Sequence, residues 1–424
     1  MKKGNVGLTV IAAFAIALCA MVENAQASGL PQCVATIMDC GCAIKTSGDY
    51  TVGAALTSAS KTEDCIDISA ANVNLYVGFD LTGAGAGSTN VGINILSSAK
   101  NANVLINDSV DSFGTGIQVA AANAIVDGNF YTNDNVGNGI VINGASGSAI
   151  FDFDSNDNGG IGVLINKGAS LKVFDFDAND NKGDGVSMVS SKGAVIKDFD
   201  ANDNTGTGVS LTKSSGSLID DFEADTNSAG GMVLNGSSAN NIIDCDTDSN
   251  TGTGMALSGS NGNTVSDCDA NSNTGNGIAL SGSNGNAISN GGIYEDKNYG
   301  IWLQASSKNV VNYNDAEGNT QAGIYIGCAA DGGPTGAACS GIGNSDSNRV
   351  TVNYVGKDGA TAQKYGVAVD LGDSMNVISG GNLNSGPSPD TIDDYIDENP
   401  DCDKNVWFHN SGSTSSPGSC IPLL

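Results

Sequence analysis

The chain is 424 residues long and carries a formal net charge of −29, with 46 acidic residues against 17 Lys and Arg. A surface of that sign repels nucleic acid and anionic lipid and excludes both as partners. Glycine is abundant, at 59 residues, yet the apolar residues keep a strict phase, which argues against low-complexity disorder.

The N-terminus reads as an export signal over residues 1–27. Lys2 and Lys3 supply the charged region, Leu8 to Met21 the apolar run, and Ala25-Gln26-Ala27 the small-residue cleavage motif before Ser28. The apolar run is too short to span a bilayer, and none of membrane length follows it, so no membrane insertion is expected after cleavage. The mature chain would keep ten of the 11 cysteines, an even number in an oxidising compartment.

Residues 28–90 form an N-terminal cap and first coil. Cys33, Cys40, Cys42 and Cys65 lie here, and Cys40 and Cys42 are too close to bond to each other comfortably, so each needs another partner. Ile66 and Ile68, then Val73, Leu75 and Val77, alternate as inward strand positions do.

From residue 91 to about 380 one ruler fits. A glycine recurs every 23 residues from Gly116 through Gly254 and Gly277 to Gly323, and two near-identical decapeptides start at Gly254 and Gly277. A fixed period of this length marks a stacked-repeat solenoid. The glycine is read as a tight turn. The residues one and three after it are apolar, as in Ile140 and Ile142, and point inward.

Twelve before the glycine runs a second aliphatic column, Ile150 to Val311. Nine before it runs Phe130, Phe153, Phe176, Phe199 and Phe222, then Cys245 and Cys268. Four before it runs Asn135 to Asn273, then Asp296 and Asn319. Like residues at one phase predict stacks of one per coil, about 4.8 Å apart, with asparagines bonded into a ladder. Cys245 and Cys268 fall at disulfide distance or pack as stacked thiols.

The expected fold is all-β: a single-stranded, right-handed parallel β-helix of about 12–13 coils, with three short strands per turn and caps at both ends. An inserted loop at 327–346 is bounded by Cys328 and Cys339, a disulfide candidate. Residues 381–424, with Cys402 and Cys420, form a C-terminal cap over the last coil's edge.

These repeats, with their Gly-Ile-x-Leu and Asn-rich turns, resemble those of the pectate-lyase-like β-helix superfamily. The flanking stretches Cys42…Gly48-Asp49-Tyr50-Thr51-Val52…Leu56…Cys65 and Asn405-Val406-Trp407…Ser419-Cys420-Ile421 resemble the cysteine-bearing caps of its exported bacterial members. The resemblance implies the fold over the mature chain and leaves function open among lyases, hydrolases, epimerases and adhesins. Active sites of that superfamily have no counterpart here. Arg349 is the only arginine and lacks an acidic cluster at matching phase, the paired-Asp and Gly-His-Gly motifs are missing, and His409, the only histidine, lies in the C-terminal cap. No residue is assigned to catalysis. Copper handling would need clusters of His, Met and free Cys, which this sequence does not offer.

Two binding candidates remain. Ten before the glycine stand Asp152, Asp175, Asp198, Asp221, Asp244 and Asp267. Eight before it stand Asp154, Asp177, Asp200, Glu223, Asp246 and Asp269. Both columns should face outward and attract cations, and the second is the candidate metal set, with Ca2+ as the expected ion. A solvated face that keeps the rod soluble accounts for them equally. The other candidate is an aromatic patch of Tyr294, Tyr299, Trp302, Tyr313 and Tyr325 beside the inserted loop; outward residues elsewhere read as small. Exposed rings beside acids suit sugars, and the alternative is that the loop buries them.

The function expected is a secreted or periplasmic, non-catalytic binder of extracellular polysaccharide or a cell or mineral surface. The alternatives are a lyase or hydrolase of acidic glycans and a structural adhesin or envelope rod with a cation-binding face.

Overall fold

The computed structural model describes residues 29–328, 343–356, 363–379, 393–400, 404–411, 415–416 and 421. The expected signal peptide, Cys339, Cys402 and Cys420 lie outside the described residues.

The described chain forms strands and no helix, in two long sheets of 16 and 17 strands that wind around one apolar core. Each coil adds one strand to each sheet. The regular part has about 12 turns of the 23-residue period. Register follows the ruler: Met255 of one twin decapeptide pairs with Ile278 of the other, and Leu257 with Leu280. All four are buried, as expected of inward positions in stacked strands.

The expected three strands per turn become two. Lys172–Asp177 carries both Val173 and Phe176 inward on one strand. Asp175 between them has φ 54°, so the strand turns a corner without ending. Asp152, Asp198, Asp221, Asp244 and Asp267 sit at the same corner with φ of 52° to 57°. Aspartate is among the few non-glycine residues that tolerate this conformation, so backbone geometry alone accounts for much of that acidic column. Among the described residues, separate third-side strands occur only as short sheets, at Leu56–Thr57, Leu81–Thr82 and Val110–Asp111, and at Asp315–Glu317 with Tyr354–Gly356.

The repeat glycine has a different cause from the one expected. Gly254 is not in the positive-φ region. A Cβ built there would lie 2.7 Å from Asn273 Nδ2 and 2.8 Å from Gly277 O. Two stacked backbones and an amide leave it no room.

The asparagine ladder forms as expected. Asn135, Asn158, Asn181 and Asn204 are buried, and each backbone N–H donates to the next coil's Asn Oδ1 at 2.9–3.0 Å. The amide Nδ2 of Asn181 and Asn204 donates to a carbonyl 26 residues earlier, at 3.0 Å. These bonds satisfy buried turn backbone without charge. Asp296 and Asn319 continue the column.

Two further ladders run through the twin decapeptides and were not foreseen. Asn240, Asn263, Asn286 and Asn309 pass Nδ2-to-Oδ1 bonds along the rod at 3.1 Å. Ser214, Ser237, Ser260 and Ser283 accept one another's backbone N–H at 3.0 Å.

The phenylalanine column stacks, with Phe153, Phe176 and Phe199 centroids 4.8 Å apart and nearly coplanar. Burying each ring contributes about 1.5–3 kcal/mol. Cys245 and Cys268 extend the column as a disulfide. In the N-terminal region Cys33 bonds Cys42, and Cys40 bonds Cys65. Cys328 is also disulfide-bonded.

Strands continue into both regions expected to be caps. Ile66–Ile68 already belongs to the first sheet, and Asp393–Asp397 adds a rung beyond Tyr365–Val369. That rung, beyond which Ser415–Ser416 adds one more, is tied by the buried Asp397 carboxylate. Its Oδ1 accepts Asn399 Nδ2 at 2.9 Å, and its Oδ2 accepts Trp407 Nε1 at 2.8 Å and Asn405 Nδ2 at 3.1 Å.

Candidate functional site

The inserted loop leaves the first sheet after Ile326, and 39 residues separate Asn309 from its ladder partner Asn348 where 23 separate the rungs before it. At its start the chain crosses the outward face of that sheet. Tyr299 and Tyr325 stack there with centroids 4.5 Å apart, and both are buried, at 1% and 0% exposure. Tyr325 Oη donates to Asp370 Oδ2 at 2.5 Å, and the same oxygen accepts Cys328 N–H at 3.0 Å. The half-buried Trp302 donates its Nε1–H to Gly327 O at 2.9 Å and lies against Tyr299. The expected exposed patch is therefore corrected for Tyr299 and Tyr325, whose rings form a second apolar cluster with Tyr365 and Ala368.

Tyr294 and Tyr313 belong to a different face. Tyr313 takes the corner conformation at φ 58° and is 58% exposed. Tyr294 is half-buried, its ring beside Gly292 and Asp269: a Cβ on Gly292 would touch the ring at 2.7 Å and Asp269 Oδ1 at 3.0 Å. Its phenol is held well above its ordinary value, first by burial and then by the hydrogen-bonded Asp315 carboxylate.

This second face is built on the file eight before the glycine. Tyr131 pairs with Asp154, Asp154 with Asp177, and the file continues through Asp200, Glu223, Asp246 and Asp269. Gly292 bridges to Asp315, and Asp315 pairs with Tyr354. A line of carboxylates at strand spacing thus starts and ends in tyrosine, with Tyr131 41% and Tyr354 46% exposed. Sequence reasoning missed both. Tyr131 stands at the same phase as Asp154 and could have been found there; the insertion hides the phase of Tyr354.

Between this file and the corner aspartates lies a shallow groove of about 310 Å³, lined by Asp198, Asp200, Asp221, Glu223, Asp244 and Asp246. Beside it Asp225 and Asp248 replace asparagines that cap the next coil, each accepting a backbone N–H at 2.6 Å. Partial desolvation, reinforced by Asp248, Asp269, Glu223 and Asp244, pushes Asp246 up to about 6. Asp225 rises to about 6 by burial and the same kind of crowding, despite the hydrogen bond it accepts. Desolvation also raises Asp154, Asp177 and Asp200. The face holds protons more tightly than free carboxylates do and attracts cations by the same field. Among the described residues no three His, Cys, Asp or Glu side chains converge as a metal's ligands. The candidate metal residues Asp154, Asp177, Asp200, Glu223, Asp246 and Asp269 are thus brought into one file. The calcium-loop-like stretch at 154–159 is absorbed by the coil: Ser155 Oγ donates to Gly162 O and Asn158 is a ladder rung.

A parallel β-helix with an acid-lined, tyrosine-ended corner is the class these features define, right-handed and of the pectate-lyase-like type. Residues 177–366 match the family described as periplasmic copper-binding protein, NosD. The disulfides and that periplasmic family agree on an exported protein, secreted or periplasmic. No curated protein matches the chain.

Among solved structures, the chain is similar to the Azotobacter vinelandii mannuronan C-5 epimerase AlgE6 A-module, at 16% identity and a TM-score of 0.51, covering 86% of this chain and 89% of that one. It is also similar to the periplasmic alginate epimerase AlgG, at 12% identity and a TM-score of 0.44, over 74% and 78%. The Dettilon tailspike protein gp208 matches at 13% identity and 0.39, over 79% and 61%. At 16% identity the likeness to the AlgE6 A-module shows the fold alone.

The donor set does not fit copper. Soft thiolate, thioether and imidazole ligands would be needed, but Cys33, Cys40, Cys42, Cys65, Cys245, Cys268 and Cys328 are oxidised. Among the described residues Met188, Met232 and Met255 are buried in the core, the exposed Met38 and Met375 lie in the first and last parts of the rod, and the single histidine, His409, packs edge-on against Phe408.

Proposed function

We propose that the protein is a non-catalytic binder of extracellular polysaccharide or of a glycan-bearing surface, with the acidic, tyrosine-ended face of the rod as its contact. What carries this reading is the placement of Tyr294 between the Asp269 and Asp315 carboxylates of the file that ends at Tyr354. Aromatic rings offer stacking to the apolar faces of sugars, and the flanking carboxylates accept hydroxyl hydrogen bonds. The fold shared with alginate epimerases supports a glycan as the class of partner. Tyr313, on the same face, completes the contact. Affinity electrophoresis through gels loaded with neutral and acidic glycans tests the reading. Retardation by at least one glycan is expected, reduced in Tyr294→Ala; mobility unchanged in every gel would overturn it.

The pKa values near 6 at Asp225 and Asp246 favour a second role for the same face, uptake of divalent cations such as Ca2+. Calcium would then raise the thermal midpoint without any sugar, and a midpoint indifferent to calcium would remove this role.

A further inference from the structure

The outward residues of the second sheet are not small, contrary to the sequence reading. Over the first half of the rod they make an apolar face. Tyr76 pairs with Leu105 on the adjacent strand, and they are 44% and 40% exposed. On the next strand Asp127 stands in register with Leu105, and Ile125, 42% exposed, lies two positions before it opposite Asn103. One coil further on, Phe151 pairs with Phe174, their half-buried rings 5.7 Å apart, and Lys197 follows in register. Each phenylalanine is followed by a corner aspartate, Asp152 or Asp175, and Asp198 continues that exposed file.

We propose that this face binds an extended polysaccharide of amino sugars, its rings stacked along Tyr76, Phe151 and Phe174 and its ammonium groups on Asp152, Asp175 and Asp198. Three observations select this occupant. Phe151-Asp152 and Phe174-Asp175 present the same pair, ring and carboxylate, on two adjacent strands, and the corner carboxylates continue at strand spacing through Asp198, which suits a polymer with its own short repeat. The carboxylates of the file repel one another and are relieved by a line of cations: Asp152 is raised above its ordinary range by partial desolvation and by Asp175 and Asp127. The Lys197 charge in the same column is already taken by Asp220, at 2.6 Å, and Lys172 stands at the far edge of its strand from Asp175.

A second copy of the chain is disfavoured, because each brings a net charge of −29. Tyr294 is not part of this contact, since it lies several coils further along, although the same strands also carry Asp154, Asp177 and Asp200 of the acidic file.

The test is calorimetric titration of the full mature chain with a glucosamine hexamer. Binding is expected, weakened about tenfold or more in Phe151→Ala/Phe174→Ala, and unchanged in Tyr294→Ala. The triple variant Asp152→Asn/Asp175→Asn/Asp198→Asn keeps residues that accept the corner conformation. It should lose affinity and most of the salt dependence, and the fully N-acetylated hexamer should bind more weakly. Thermal melts in parallel separate lost binding from lost folding. The proposal fails if the hexamer does not bind, or if folded phenylalanine variants bind it as well as the wild type. It also fails if Tyr294→Ala is the variant that loses binding. Polylysine losing affinity equally in the phenylalanine variants would make the face a protein-docking surface and overturn it. So would a dimer in sedimentation that Phe174→Ala abolishes.

Discussion

Asp296 follows Asn273 in the buried ladder and takes the place of an asparagine: its Oδ1 accepts the Asn273 backbone N–H at 2.9 Å, as the amide oxygens do in earlier coils. In those coils the Nδ2 donates to a carbonyl 26 residues back. In Asp296 the corresponding atom is Oδ2, which is buried and has no hydrogen-bond partner. Burial holds this carboxyl well above the usual range, against the hydrogen bonds from Asn273, so it fits the ladder as a protonated acid.

Asp296→Asn should therefore stabilise the rod by about 1–2 kcal/mol near neutral pH, since it restores a donor to a buried carbonyl. The raised pKa means the group's contribution is full below its unfolded value and is lost as pH rises through its folded one. The gain should shrink in acid. Urea unfolding of both chains at two pH values measures it, and equal gain at both would contradict the protonated rung.

Asp225 and Asp246 have the same sign. With folded values of about 6 and unfolded ones of about 3.9, the folded rod holds the extra protons. Their contribution is complete below pH of about 4 and is lost as pH rises through about 6. The thermal midpoint should fall across that window, less steeply in Asp246→Asn, and calcium should restore it at the upper end.

Replacing Gly254 by Ala puts a methyl 2.7 Å from Asn273 Nδ2 and 2.8 Å from Gly277 O, where two stacked backbones cannot both retreat. A loss of about 1–3 kcal/mol is expected from this overpacking. Alanine at Gly259, where a Cβ meets nothing within 4 Å but φ is +57°, tests backbone strain alone.

The Cys245–Cys268 disulfide joins residues one coil apart, a separation of 23. Cys245→Ala/Cys268→Ala should lose about 3 kcal/mol by loop-closure entropy, in a chain-entropy account. Denaturation of the double variant against the disulfide-bonded wild type, both without reductant, measures it.

How far the sequence carried these conclusions follows from what a fixed period encodes. Columns such as Ile150, Phe153 and Asn158 show directly as repeated letters, so core, ladder and disulfide were legible. The serine and second asparagine ladders were equally periodic, at Ser260 and Asn263, but polar residues in a turn read as solvated until stacking is seen. The glycine was found for the wrong reason, because φ does not appear in a sequence and crowding between coils looks the same as a turn. Trp302 and Tyr325 share an outward phase, with Tyr299 just before the glycine, but phase cannot tell that Gly327 and Cys328 lie across them. Tyr354 was hidden because 39 residues, not 23, separate its coil's ladder asparagine, Asn348, from Asn309.

The most direct test of polysaccharide binding on the acidic face compares wild type with Tyr294→Ala/Tyr354→Ala in binding isotherms against whichever glycan retards the wild type. The account predicts that the double variant, folded by its melting curve, loses affinity at least about tenfold, the loss of stacking from two rings. Equal affinity of a folded double variant for that glycan would contradict it.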